Sequence, residues 1–224
     1  MVYKPVVIVG GEPNSIFFEI FFKSLNYKKF KSPIVLIASH NLIKMQMKKL
    51  KIKKKIKLID FLKLKKYQLN NKTINLINVD FNQQKPFVKI SDKSNDYVKK
   101  SFDIALKILK TKITNKFING PISKKFFLKK KYLGITEYLA HRTNTKNFAM
   151  LIYNKDLSVC PLTTHLPLKK VSKKINKELI IEKTKLIDNF YKKKIKKRPR
   201  IAILGLNPHC ESVDIFNEEE KIIK

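Results

Sequence analysis

The sequence predicts an α/β protein. Short apolar runs rich in Val and Ile alternate with longer amphipathic stretches, Gly- and Pro-bearing turns follow two of those runs, and 43% of the 224 residues are hydrophobic. Alternation of this kind feeds a mainly parallel sheet, because a helical crossover must return the chain before each new strand. A chain of this length buries enough surface for one sizeable domain or two small ones.

Val6–Val9 reads as a buried first strand, and Gly10-Gly11-Glu12-Pro13 turns the chain into an apolar helical run at 16–25, capped by Asn14 or Ser15. Ile34–Ala38 is a second strand, and Ser39 is placed to cap a helix through Leu50. Over 51–86 the pattern weakens into short strands joined by exposed Lys-rich connections. Val98, Phe102, Ala105, Leu106 and Leu109 recur at helical spacing, which predicts a helix over 94–111 with one apolar face. Phe117–Asn119 is a strand, and Gly120-Pro121-Ile122-Ser123-Lys124 leads from it into another helical segment. Segments 148–152 and 158–162 flank Tyr153-Asn154-Lys155-Asp156 as a β-hairpin. Leu179, Ile180, Thr184, Ile187 and Phe190 mark a long helix that runs into the basic stretch 191–200, and 201–204 is a strand. Asn217 before Glu218, Glu219 and Glu220 has the form of a helix start, with carboxylates at the positive end of the dipole. Lys224 follows about one turn later, so the sequence reads as cut inside an element. No repeat or low-complexity linker marks an internal domain boundary.

Cys160 and Cys210 offer neither a disulfide framework nor a ligand-spaced pair, which points to a reducing cytoplasm. No stretch has the length of a bilayer span or the form of a leader, so a soluble protein away from membranes is expected. Fifty Lys and Arg against 17 Asp and Glu give a formal charge of +33, which suggests a polyanionic partner. Codon bias explains the excess at least as well, since it is nearly all Lys and accompanies abundant Ile and Asn and no Trp. The Lys runs at 53–55, 129–131 and 192–197 are dispersed rather than set beside aromatic stacking residues.

Two of the four histidines follow apolar strand-like runs: His165 in Leu162-Thr163-Thr164-His165-Leu166-Pro167-Leu168, and His209 in Gly205-Leu206-Asn207-Pro208-His209-Cys210. Ligands of open α/β sheets gather at the carboxyl ends of strands, so two such imidazoles can meet at one metal. Two unrelated turn histidines is the competing reading, because a catalytic ion usually takes three protein ligands. His40 and His141 read as surface residues, and Cys210 as packing rather than a soft-metal ligand. Gly10-Gly11-Glu12-Pro13 lies where a helix start can bind phosphate, but Phe17 and Phe18 follow and no GxGxxG is present. Thr136-Glu137 after Gly134 supplies a hydroxyl and a carboxylate, for which helix capping is the simpler role.

Taken in order, these segments resemble the 4-hydroxythreonine-4-phosphate dehydrogenases of pyridoxine and pyridoxal phosphate biosynthesis. Gly11-Glu12-Pro13, with Glu19 beyond it, is similar to the family's opening GEPAGIGPE segment, Gly120 to Lys124 to its APINK turn, and Gly134-Ile135-Thr136-Glu137 to its GHTE motif. Thr163 to Leu168 and Gly205 to His209 match family motifs almost letter for letter. The resemblance implies an architecture like the isocitrate and isopropylmalate dehydrogenases and a homodimer with sites near the subunit boundary. It also implies NAD and a divalent metal ion as cofactors, a small phosphorylated hydroxy-amino acid as substrate, and oxidation followed by decarboxylation to an aminoketone phosphate. By motif position, His165 and His209 would be two of three metal-binding histidines, and Thr136 would contact the substrate. Ile135 stands where the family places a substrate-binding His, and Asn14, Ser15, Phe17 and Phe18 replace small residues of the first motif. The family continues past the position of Lys224, with the third histidine and much of the NAD site there, so the resemblance implies a truncation at the C-terminal end. A remnant with a binding role and a basic nucleic-acid-binding module are the rival readings.

Dispersed Lys neutralises phosphate without reading bases, so binding to nucleic acid should be independent of sequence and collapse as salt rises. Filter binding of random and defined oligonucleotides across a salt series checks this. A sequence preference surviving at physiological ionic strength would support the nucleic-acid reading.

Overall fold

The computed structural model describes residues 3–27, 29–207, 209 and 219–223. The polypeptide divides into two compact units, Met1–Lys130 and Lys131–Lys224. The division falls inside the Lys run 129–131, where Lys129 and Lys130 hold left-handed backbone with φ of 46° and 61°. Composition does not announce this boundary.

The first unit is built on a five-stranded parallel sheet of β1 (Val6–Val9), β2 (Ile34–Ala38), β3 (Ile56–Leu58), β4 (Ile74–Asn78) and β5 (Phe117–Asn119). The strand order is β3-β4-β2-β1-β5. Val6 pairs with Ile34 and Val7 with Phe117, so β1 lies between β2 and β5 in the sheet. All five residues of β2 are buried. A strand covered on both faces has no polar side, which is why β1 and β2 read as unbroken apolar runs rather than alternating ones.

Helices α1 (Phe17–Tyr27), α2 (His40–Lys49) and α3 (Asn95–Lys110) belong to this unit. Phe18, Phe21 and Phe22 fall at one-turn spacing on α1 and pack with Ile8, Leu36, Ile43 and Leu76 in the core. Each such aromatic stabilises by about 1.5–3 kcal/mol relative to exposure. Ser15 accepts from the Phe17 N–H at 3.3 Å. The Asn14 side chain instead bonds Gln83 and the Val88 N–H, so Ser15 is the residue that tends the helix start. Ser39 caps α2 by accepting from Leu42 N–H at 3.4 Å. The expected 94–111 helix is α3, preceded by one 3₁₀ turn, Asp92–Ser94. Its apolar face includes Val98, Phe102 and Ala105, and the Phe102 ring meets Phe117 edge-on at 6.0 Å and stacks on Phe127.

At the carboxyl ends of β1 and β5 the two glycine turns touch main chain to main chain. Glu12 N–H donates to the Pro121 carbonyl at 2.7 Å, and Gly120 N–H to the Val9 carbonyl at 2.7 Å. A Cβ on Gly120 would stand 2.2 Å from the Gly10 carbonyl oxygen, and one on Gly11, at φ +70°, would stand 2.3 Å from that of Pro121. The Glu12 carboxylate is buried here, accepting from the Ser94 hydroxyl at 2.7 Å and from the Asn14 N–H at 3.2 Å. The turn considered for phosphate therefore already holds a protein carboxylate.

The second unit contains α4 (Ile135–Arg142) and α5 (Lys177–Phe190), the latter capped by Asn176, which accepts from Leu179 N–H at 2.8 Å. Two expected strand features differ. The hairpin of 148–152 with 158–162 is reduced to one antiparallel bridge, Ile152 to Val159, around a turn closed by the Asn154 and Ser158 side chains. Segment 201–204 joins no ladder among the described residues, and Ile201, Ile203 and Leu204 stand exposed. A ladder needs a neighbouring backbone as well as an apolar pattern, and none of the described segments supplies one there. The expected helix start at Asn217 and Glu218 lies outside the described residues, while Glu219–Ile223 form a single helical turn.

The touching glycine turns make a stability prediction. Gly120→Ala must push backbone rather than a side-chain tip, so it should lose roughly 1–3 kcal/mol, the range of overpacking substitutions. Urea denaturation of the two proteins checks this, and an unchanged midpoint would show that the turns can separate freely.

Candidate metal and substrate site

Gly134 immediately precedes α4 in extended backbone, which leaves Thr136 and Glu137 in the first helical turn. Negative charge is favoured at that end of a helix. The expected capping role is not what the structure shows: Gly134 occupies the cap position with no side-chain bond to the helix end, and the Glu137 carboxylate is engaged elsewhere. Its Oε1 accepts from the Thr164 hydroxyl at 2.8 Å, which ties the first turn of α4 to the segment 163–168. Its Oε2 is buried and has no hydrogen-bond partner.

His165, next to Thr164, is held in the left-handed region at φ 57°. That conformation costs a non-glycine residue about 1–2 kcal/mol, so the surrounding contacts must sustain it. The imidazole lies against Gly134. A Cβ placed on that glycine would stand 2.9 Å from both Cδ2 and Nε2 of His165 and 3.0 Å from Oε2 of Glu137. The two motif segments 134–137 and 163–168, remote in sequence, thus meet through Glu137, Thr164 and His165.

His209 sits in a different turn, exposed, and also left-handed at φ 59°. Glu219 organises the residues before it: Oε1 accepts from the N–H groups of Leu206 and Asn207 at 2.9 and 2.7 Å, and Oε2 from the Asn207 amide at 3.1 Å. The Asn207 N–H first, then its side-chain amide, hold the Glu219 carboxyl below the usual value. Among the described residues no group of three or more His, Cys, Asp or Glu side chains has metal-holding proximity. Cys210 lies outside the described residues.

The remaining histidines stand apart from this chemistry. His141 is exposed, its Nδ1 2.9 Å from the Tyr132 hydroxyl. His40 opens α2 half-buried rather than fully at the surface, and burial, then Lys44, lowers its pKa. Sequence reasoning missed the parts played by Glu137 and Glu219. Glu137 was visible as part of the motif after Gly134, but its partner is 27 positions away. Glu219 looked like one of three acids opening a helix.

The family model described as pyridoxal phosphate biosynthetic protein PdxA matches residues 29–224. The chain belongs to this family. Over 123 residues it is 43% identical to 4-hydroxythreonine-4-phosphate dehydrogenase of Sulfurihydrogenibium sp. (strain YO3AOP1), a match covering 53% of this chain and 38% of that relative. Over 89 residues it is 36% identical to D-threonate 4-phosphate dehydrogenase of Pectobacterium atrosepticum, a match spanning 40% of this chain and 27% of the relative. The solved structure of 4-hydroxythreonine-4-phosphate dehydrogenase from Klebsiella pneumoniae matches with a TM-score of 0.84 at 24% identity, covering 99% of this chain and 68% of that one. The fold is therefore that of the PdxA dehydrogenases, the isocitrate dehydrogenase-like α/β type. The matched stretches span about 38% and 27% of the two named relatives.

The Glu219 contact carries a pH dependence. A carboxyl whose folded pKa is depressed contributes fully above its unfolded value, and the contribution is lost as pH falls through the folded one. The Asn207 amide resonance should therefore titrate with a midpoint below the ordinary glutamate value of about 4.3. An NMR titration checks this, and Glu219→Gln should abolish the transition. A midpoint at or above the ordinary value would remove Glu219 as the anchor of this turn.

Proposed function

We propose that this polypeptide supplies the metal- and substrate-contacting part of an NAD- and divalent-metal-dependent dehydrogenase of pyridoxine and pyridoxal phosphate biosynthesis. Its substrate would be 4-hydroxythreonine 4-phosphate or a closely related phosphorylated hydroxy acid. The observation that supports this best is the contact of segments 134–137 and 163–168 around His165, in a member of the PdxA family. Homodimerisation and a cytoplasmic location are part of the same proposal. No helix among the described residues is long and apolar enough to cross a membrane.

The donor set suits a divalent ion. His165 and His209 offer neutral imidazole nitrogens, a ligand type shared by zinc, cobalt, manganese and nickel, and the uncompensated Glu137 oxygen adds negative charge beside His165. Such an ion, when bound, supplies Lewis acidity toward the substrate's hydroxyl and carboxylate oxygens. In the proposed reaction the carbinol would give up its hydroxyl proton and a hydride to become a ketone, and NAD, when bound, would supply the hydride acceptor. The carboxylate, β to that ketone, would then leave as carbon dioxide, its bonding pair shifting toward the carbonyl, and protonation of the resulting enolate would yield the aminoketone phosphate. Thr136 would contact the phosphorylated substrate from the first turn of α4, an end of the helix where N–H groups favour an anion. Ile135 cannot add the polar contact that a His would make there. The turn after β1 does not fit the dinucleotide, since Pro121 and the Glu12 carboxylate already engage it. No NAD-contacting role is assigned to that turn.

Isothermal calorimetry with Zn²⁺ or Co²⁺ tests the metal assignment. The double variant His165→Ala, His209→Ala should bind at least about tenfold more weakly, a difference of about 1.4 kcal/mol. Equal affinities would remove these histidines from the site. In the same preparations, NADH absorbance with 4-hydroxythreonine 4-phosphate should show little turnover by this chain alone, because hydride transfer needs nicotinamide and carbinol held in near-attack geometry. Turnover within about tenfold of a complete relative would mean these 224 residues are sufficient by themselves.

A further inference from the structure

We propose that Glu137 is a positioning residue for His165, holding its loop with one carboxylate oxygen and orienting its imidazole with the other. The proposal rests on the reading of His165 as a metal ligand. Its first support is the 2.8 Å bond from the Thr164 hydroxyl to Oε1, which fixes the residue directly before a strained, left-handed histidine. Its second is the buried Oε2, which has no hydrogen-bond partner in this structure. Leaving a buried polar atom unpaired is destabilising, and more so for a charged group, so stability alone does not favour a carboxylate there. Its third is the shared approach to Gly134, where the imidazole edge and Oε2 occupy the space a side chain would take.

These observations fit one arrangement. The carboxylate stands on the first turn of α4, a rigid element whose N-terminal dipole favours the charge. A histidine that gives one ring nitrogen to a metal donates its other N–H to a neighbouring acceptor, which sets both tautomer and ring plane. Oε2 of Glu137 is an acceptor available for that bond, beside the ring. Gly134 is the third component, because the atoms a Cβ would strike are the mobile ends of His165 and Glu137 rather than backbone. An alanine there should displace the two functional groups while leaving the fold intact.

Long-range ¹H–¹⁵N spectra of the imidazoles in the metal-free protein, together with Co²⁺ calorimetry and visible absorption, test the proposal. Glu137→Gln keeps an oxygen for Thr164 but loses the charge. It should shift the His165 ring nitrogens and tautomer balance, leave those of His40 and His141 in place, weaken Co²⁺ about tenfold or more and alter its d–d bands. Gly134→Ala should act in the same direction with an unchanged urea midpoint. Unmoved His165 ring signals in both variants would overturn the proposal, as would unchanged Co²⁺ affinity in both where His165→Ala weakens binding. If His165→Ala leaves Co²⁺ affinity unchanged, the metal reading fails by itself. The metal-free ring signals then decide the proposal: movement supports the orienting contact, and its absence overturns it.

Discussion

The first unit depends on the close contact of two main-chain turns. Where β1 and β5 end, the Glu12 N–H reaches the Pro121 carbonyl because neither Gly11 nor Gly120 carries a Cβ. Glu12 then extends the connection to a third element through Ser94, the residue before α3. Strand, strand and helix are thereby held at one point by four bonds of ordinary length and a buried carboxylate that is fully engaged. Open α/β sheets commonly use the crevice at a reversal of strand order for ligands. Here that position is packed with backbone, and the chemistry-bearing residues stand in the second unit.

Much of the first unit was legible in the sequence, for a physical reason. Strands buried on both faces need uninterrupted apolar residues, so Val6–Val9 and Ile34–Ala38 could be read from composition alone. Ser39 and the apolar stripe of α3 were equally local signals. The pattern over 148–162 and 201–204 was just as apolar, yet the structure gives it one bridge. Apolar alternation records a side chain's preference for burial, whereas a strand also requires a second backbone. In the candidate site, His165, His209 and Thr136 were legible as motif residues. Glu137 and Glu219 were not, because what they do depends on partners 27 and 12 to 13 positions away.

The two histidine turns are organised by one device used twice. Each imidazole follows a residue or two after a hydrogen-bonding group, Thr164 or Asn207, that is gripped by a distant carboxylate. Each histidine is left-handed, a conformation that local preference opposes. In a sequence with only 17 acidic residues against 50 basic ones, acids committed to such loops are scarce. Reducing either carboxylate to an alanine would leave the histidine in the sequence and remove what holds its backbone.

The uncovered segments of the second unit have a colloidal consequence. Ile152, Val159, Ile203 and Leu204 are exposed, and Ile152 and Val159 form a lone antiparallel bridge, a composition that can let copies stack edge to edge. The cleft bordered by Val159, Ile203 and Leu204 also bears Lys155, Lys183, Lys197, Arg198 and Arg200. Two copies approaching through this face must bring those cations together, so the surplus of lysine works as a gatekeeper against self-association. That protection is electrostatic, and its reach shrinks to about 8 Å at physiological ionic strength. Added salt or a neutralising polyanion therefore weakens this repulsion, so the same positive charge that would attract a polyanion also opposes close approach of two copies.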